Sequence, residues 1–410
     1  CSSDLALDVS DPSSFSESNR LWEISDLNTS LDGDVRDDIG HVLGRPVIVP
    51  VKNKAGGVAW KAIFGNGYES ASGRAVLFLV DIDSGPPKIR RVVAREPSSG
   101  LAATSANGLG NIVVLDRWAG EDLSVGGRDG YADTVYAADR QGAIWKFDIR
   151  DADPDHQTVP LFVTQEYAGS GGRFRQPITG GLTATVGPRG GITLYFGTGS
   201  FVFENDHTDA NVQSLYAVND LSRGAVSSTV SLSGLVRYEV SAIAGSTDRT
   251  IEVRSSGAGG GWYVNLPPRE RFIGNPEIAA GVVFMPTYSP NPGTSGCSTT
   301  GFNSLFGLNA RTGAPALSQV RYGTPGGASP KDGTAAIELD TGGTAPVRDV
   351  GVMAIPRLGP PALPAGTPGT PPPAPPSPPE QGCWMHVSVA GAEAMLLPYP
   401  CGRQSWRQIQ

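Results

Sequence analysis

The carboxylates of DGYAD (129–133) stand at the spacing of the second half of an EF-hand-like calcium loop. Such a loop puts oxygen ligands at positions 1, 3, 5, 7 and 9 or 12, with glycine at position 6 for the sharp turn. Asp129 falls at position 5, Gly130 at 6, the Tyr131 carbonyl at 7 and Asp133 at 9. The first half departs from the pattern, because positions 1 and 3 fall on Val125 and Gly127, which carry no side-chain oxygen. The run VLDRWAGEDLSVGGRDGYAD (114–133) reads as an insertion after Asp116. Asp116 then becomes the displaced first ligand, and Glu121 or Asp122 fills another place. The competing reading is a degenerate loop in which Asp129 serves a turn and Asp133 caps the entry to the next strand. Ca2+ is the cofactor these residue types point to, with affinity weakened by the two missing carboxylates, since ligand charge count tunes it.

Other chemistry finds little support. The chain has no G-x-S-x-G elbow, no H-E-x-x-H and no P-loop, and GAGGG (257–261) lacks the spacing of a dinucleotide fingerprint. His41, His156, His207 and His386 stand apart, without partners at the spacing of a triad or zinc site. His207 lies in the acidic run ENDHTD (204–209), which reads first as a solvated turn and second as a cation loop.

The elements that must hold the loop are strands. A three-part pattern recurs along the chain. A strand opens after a polar residue and proline in RPVIVPV (45–51), QPITGGLTATV (176–186) and NPEIAAGVVF (275–284). An apolar strand ending in small residues follows in WKAIFGNGY (60–68), TLYFGTGSF (193–201) and VVFMPTY (282–288). The third part is an apolar run closing on Asp or Asn: VLFLVDIDSG (76–85), VYAADRQG (135–142), SLYAVND (214–220), LFGLNARTG (305–313), with LALDVSDP (5–12) one more copy. β-Branched and aromatic enrichment makes these strands rather than helices. With 54 Gly, 34 Pro and 18% charged residues, the composition is that of many short strands joined by turns. The expected fold class is all-β, a β-propeller of modified quinoprotein-like type, spanning residues 1–410 and incomplete at the N-terminus. Trp60, Trp145, Trp262 and Trp406 sit at repeat positions, where packing is the default role.

Residues 359–379 hold eleven prolines and read as a polyproline-type insertion, after which WMHVSVAG (384–391) resumes the last blade. The net charge of −8 and the lack of a dense Lys/Arg block argue against nucleic acid as a partner. No run reaches the ~18 apolar residues of a membrane helix. Cysteines lie at 1, 297, 383 and 401. Cys383 and Cys401 flank a short segment and read as a disulfide worth about 3 kcal/mol, which places the chain outside the cytosol. Three pairings of four cysteines stay open. Cys1 reads as a fragment boundary before it reads as a lipidated lipoprotein terminus.

Taken together, LALDVSDPSSF and LWE (5–23), DIGHVLGRPVIV (38–49), AIFGNGYES (62–70), NGL (107–109), DGYADTVYAADRQGAIWKFDI (129–149), QPIT (176–179), YFGTGSFV (195–202), GWYVNLPPRER (261–271) and SWRQI (405–409) resemble the C-terminal propeller of the PilY/PilC family of type IV pilus biogenesis and tip adhesin proteins. The resemblance implies an exported, non-catalytic module at the pilus tip, cell surface, outer membrane or periplasm. It implies roles in pilus assembly, retraction, twitching motility and attachment, minor pilins and a host or abiotic surface as partners, and a calcium loop inside the propeller. The family's RGD tripeptide is missing, since 127–129 reads Gly-Arg-Asp. The rival is a quinoprotein-type (PQQ-dependent) oxidoreductase, which shares the fold. Many of those enzymes carry a disulfide between adjacent cysteines, and this chain has no adjacent pair. A shared fold does not by itself license the chemistry.

Overall fold

The computed structural model describes residues 3–14, 16–53, 55–82, 88–96, 101, 106–118, 127–150, 156–169, 172–291, 301–342, 345–354 and 383–399. Continuous apolar runs such as AVLFLV mark strands covered on both faces, because successive side chains point to opposite sides of a sheet. Among the described residues such strands form five four-stranded antiparallel sheets of a β-propeller. Sheet I runs through Val47–Lys52, Val58–Gly65, Ala75–Asp81 and Lys88–Ala94. Sheet II takes Leu109–Leu115, Thr134–Asp139, Ala143–Asp148 and Phe162–Val163. Sheet III takes Thr183–Val186, Ile192–Gly197, Ser214–Asp220 and Gly261–Asn265. Sheet IV takes Glu277–Ala279, Val282–Pro290, Gly301–Asn309 and Ala336–Leu339. In sheet V, Gly351–Ala354 pairs with Cys383–Ser388, which pairs with Met395–Tyr399. The strands on either side of the proline-rich segment are therefore neighbours; that segment itself lies outside the described residues.

The core lies between sheets. Leu77 and Leu79 of sheet I meet Val135, Ala137 and Trp145 of sheet II, while Val76, Phe78 and Val80 point the other way, toward Ile24 and Ile39. Tyr136 and Ala138 of sheet II face Leu194, Phe196 and Tyr216 of sheet III. Leu215 and Ala217 of sheet III share a cluster with Val283, Met285 and Phe306 of sheet IV. Phe284 and Leu305 of sheet IV pack on Met385, Val387 and Leu397 of sheet V. Outer edges are stitched across sheets, which removes open edges. His156–Gln157 joins Lys88–Ala94 of sheet I, Arg249 bridges Ala336 of sheet IV from the hairpin appended to sheet III, and Arg321–Tyr322 closes sheet V.

The two Phe-Gly-x-Gly strings occupy equivalent places, each ending the second strand of its sheet. Gly67 and Gly199 both adopt positive φ, at 73° and 133°. A Cβ on Gly67 would lie 2.1 Å from the His41 carbonyl oxygen, and one on Gly199 would lie 2.4 Å from the Arg271 Cβ.

Three expectations need correction. VYAADRQG is the second strand of sheet II, and the third is Ala143–Asp148. The closing Asp marks hairpin chemistry rather than strand index, as Asp139 Oδ1 accepts the Ala143 amide at 2.8 Å. Within QPITGGLTATV only Thr183–Val186 is a strand, and the earlier part crosses the sheet through a single Ile178–Gly199 bridge. Trp60 is 47% exposed, in contrast to the buried Trp145 and Trp262, while Trp406 lies outside the described residues. The short helix Gly33–Asp38 had no sequence signal; it delivers the fully buried Asp38 to Arg74 and Arg91.

Candidate functional site

Leu109–Leu115 delivers Asp116, and the chain returns at 127–133 to enter the second strand of sheet II. Asp116 closes this loop on itself. Its Oδ2 accepts the Gly130 amide at 2.9 Å and its Oδ1 the Asp129 amide at 3.3 Å. Asp129 Oδ1 accepts the Tyr131 amide at 3.1 Å, an Asx-type turn. The Ala132 amide donates to the Pro50 carbonyl, and Lys52 lies over the Tyr131 ring, so the loop rests on sheet I. Asp133 is 2% exposed. Its Oδ2 accepts the Arg117 and Trp118 amides, each at 2.8 Å, and its Oδ1 accepts the Thr134 hydroxyl at 2.5 Å. Burial pushes both Asp133 and Asp116 above the ordinary carboxylate range, against hydrogen bonds that pull the other way.

Asp116 and Asp129 are thus brought together, while the carboxylate of Asp133 is engaged by three donors. Among the described residues no three His, Cys, Asp or Glu side chains converge as a metal-binding group. A Ca2+ ion takes six to eight oxygens, and the described residues alone do not make such a cage. Asp122 and Glu121 lie outside the described residues. In the ENDHTD run, Asp206 Oδ2 accepts the Ser200 hydroxyl and the Val202 and Phe203 amides. The buried Arg271 donates to the carbonyls of Ser200, Asp206 and Asp209. That carboxylate organises its own loop.

Sequence reasoning missed the charged cluster directly beneath the 116–133 loop. Arg117 Nη1 donates to the Tyr136 hydroxyl at 2.9 Å and to Asp220 Oδ2 at 3.0 Å. Lys146 Nζ lies 2.9 Å from the same Asp220 oxygen and donates to the Ser222 hydroxyl at 2.8 Å. The Tyr136 hydroxyl donates to Asp220 Oδ2 at 2.5 Å, and the Ser222 amide donates to Oδ1 at 2.8 Å. Side-chain exposure is 6% for Arg117, 4% for Lys146 and 1% for Asp220. Burial alone would raise Asp220, but the Lys146 ammonium and the hydrogen bonds from Lys146, Ser222 and Tyr136 outweigh it and hold the carboxyl below its usual range. Burial lowers Lys146, with Asp220 opposing. One signal was available: a lysine inside the otherwise apolar run AIWKF (143–147). The Arg117 backbone belongs to the loop and its guanidinium to the sheet II–III seam, so loop and seam share a residue.

Residues 2–239 match the family model described as the PilY1 beta-propeller domain. The chain is 35% identical, over 99% of its length, to a type IV pilus biogenesis factor PilY1 homolog of Xylella fastidiosa (strain Temecula1), and the match takes 28% of that protein. It is 28% identical, over 75% of its length, to the type IV pilus biogenesis factor PilY1 of Pseudomonas aeruginosa (strain PAO1), again over 28% of the relative. Among solved structures, the Pseudomonas aeruginosa PilY1 C-terminal domain is similar in fold, with a TM-score of 0.61 and 20% identity, over 97% of this chain and 78% of that one. The chain spans less than a third of the curated relatives it matches.

Proposed function

Because this chain belongs to the PilY1 β-propeller family, we propose that it is a non-catalytic module of type IV pilus biogenesis, acting by presenting loops from a rigid stack of sheets. The observation that carries this reading is the family match across more than half of the chain, joined to 35% identity with a named pilus biogenesis factor. The use made of the buried charges supports it. Asp133, Asp139, Asp220 and Glu270 each accept bonds that hold backbone, strand or neighbouring sheet. Trp145 and Trp262, which a quinone pocket would need as stacking surfaces, donate their indole N–H groups to Asp139 and to the Ala310 carbonyl within the core. An extracytoplasmic location accords with the disulfide at Cys383. No helix among the described residues is long and apolar enough to cross a membrane.

In this proposal the partners are minor pilins at the pilus tip, and attachment, retraction and twitching follow from how the propeller meets them. Calcium, in the same proposal, draws on the carboxylates of Asp116 and Asp129, which the loop brings together. The test is a deletion of the coding region for this chain in its host, complemented in trans. Surface pilin, sheared and quantified, should fall on deletion and return with the wild-type chain. Unchanged surface pilin in the deletion strain sinks the reading. Dye reduction by purified protein with pyrroloquinoline quinone and calcium would instead favour the oxidoreductase.

A further inference from the structure

The first strands of the five sheets, or the loops entering them, converge on a cavity of about 650 Å3 at the propeller axis. Bonds between neighbouring sheets fix its wall. Asn111 Nδ2 donates to the Gly180 carbonyl at 3.1 Å, the Gly181 amide to the Gly274 carbonyl at 2.8 Å, and the Asn275 amide to the Arg348 carbonyl at 2.8 Å. The polar side chains in this wall are largely engaged: Thr179 donates to the Gly199 carbonyl, and Asn275 donates to Asp349 Oδ1.

Two guanidinium groups differ. Arg45 from the sheet I side and Arg348 from the sheet V side both line the cavity and are exposed. Neither side chain makes an ion pair or hydrogen bond among the described residues. Elsewhere arginines are matched to carboxylates, as in Arg74–Asp38, Arg117–Asp220, Arg175–Glu96 and Arg249–Glu270. In a chain of net charge −8, two cations set against the single lining carboxylate among the described residues, Asp349, whose Oδ1 is already bound by Asn275, leave this concavity with a net positive charge. Beside them Leu43, 63% exposed, and Val202, 41% exposed, line the same cavity.

We propose that the axial cavity binds an acidic peptide segment, whose carboxylates pair with Arg45 and Arg348 and whose neighbouring apolar side chains cover Leu43 and Val202. Arginine suits this because its planar fork meets a carboxylate through two hydrogen bonds. The volume lies in the range of pockets that enclose a ligand of a few residues. A nucleic-acid strand fits less well, since stacking needs free aromatic faces and the aromatic ring of the wall, Phe201, sits edge-on against Tyr288. The proposal deepens the reading of the chain as a binding module. It is tested with purified protein, so its failure leaves the pilus experiment standing.

The probe is a fluorescein-labelled hexapeptide alternating leucine and glutamate, titrated with the protein at low salt and followed by anisotropy. Saturable binding is expected, weakened about five- to tenfold by Arg45→Ala or Arg348→Ala and more by the pair. Arg254→Ala, which removes the same charge from the hairpin outside the cavity, should leave binding unchanged. Hexapeptides alternating leucine with lysine, or glycine with glutamate, should bind at least tenfold more weakly. Lack of saturable binding at about 1 mM protein, or equal binding by wild type and the double variant, overturns the proposal. So does displacement by inorganic phosphate at a concentration similar to that of unlabelled peptide, which would make the cavity a plain anion site.

Discussion

Asp220→Asn removes one charge and almost no volume, so its effect isolates the electrostatics of the seam between sheets II and III. The carboxylate accepts bonds from Arg117, Lys146, Tyr136 and Ser222. The amide leaves Arg117 and Lys146 as neighbouring cations at 6% and 4% exposure, and its NH2 group faces donors. Breaking a buried pair by deleting one partner costs about 3–5 kcal/mol, mostly the stranded charge. For a chain this long the midpoint falls by roughly 1 °C per kcal/mol, so calorimetry at pH 7 should show a drop of about 3–5 °C. The sign with pH follows from the shift. Asp220 is lowered in the folded state, so its contribution is complete above the unfolded carboxylate range, near 4, and is lost as pH falls through the folded value. The gap between variant and wild type should therefore narrow in acid. Lys146→Met in the Asp220→Asn background should recover part of the loss, because it removes one stranded cation. A midpoint within 1 °C of wild type at pH 7 would refute the reasoning, as would a gap that persists undiminished at about pH 2.

Gly67 and Gly190 share a φ of 73°, but a Cβ on Gly190 meets nothing within 4 Å while one on Gly67 strikes the His41 carbonyl. Gly190→Ala should cost about 1 kcal/mol and Gly67→Ala about 1–3 kcal/mol more, read as calorimetric midpoints; equal losses would contradict the packing account. Calorimetric titration of Ca2+ should give at most weak binding, about 10⁻⁴–10⁻³ M, lost in Asp129→Asn and kept in Asp133→Asn. Loss in Asp133→Asn with the fold intact would show that its carboxylate ligates. Reduction of the Cys383 disulfide should destabilise by about 3 kcal/mol, and peptide mapping under non-reducing conditions should find Cys383 joined to Cys401.

Much of the scaffold was legible because it is local. The apolar runs ending at Asp81, Asp139, Asp220 and Asn309 are strands, and the Phe-Gly-x-Gly strings both fall at the end of the second strand of a sheet. Assigning VYAADRQG to the third strand failed because a closing Asp and Gly report a hairpin wherever it falls. In the calcium loop, spacing selected Asp116, Asp129 and Asp133, yet could not tell an oxygen free to ligate from one bound to the Arg117 and Trp118 amides. The ENDHTD run, read first as a solvated turn, is a turn whose Asp206 carboxylate is bound within its own loop. Its carbonyls are held by the buried Arg271, a partner 62 or more positions away that spacing does not show.

The order of residues along the chain determined its all-β class, the repeated sheet and its turns, because strand periodicity and turn chemistry act over a few neighbouring residues. Tertiary structure alone decided the seam and the axial cavity. Arg117 and Asp220 are 103 positions apart, and Arg45 and Arg348 come from sheets I and V. Charges so distant meet only when whole sheets pack, and burial then sets whether a carboxylate holds the fold together or faces a ligand.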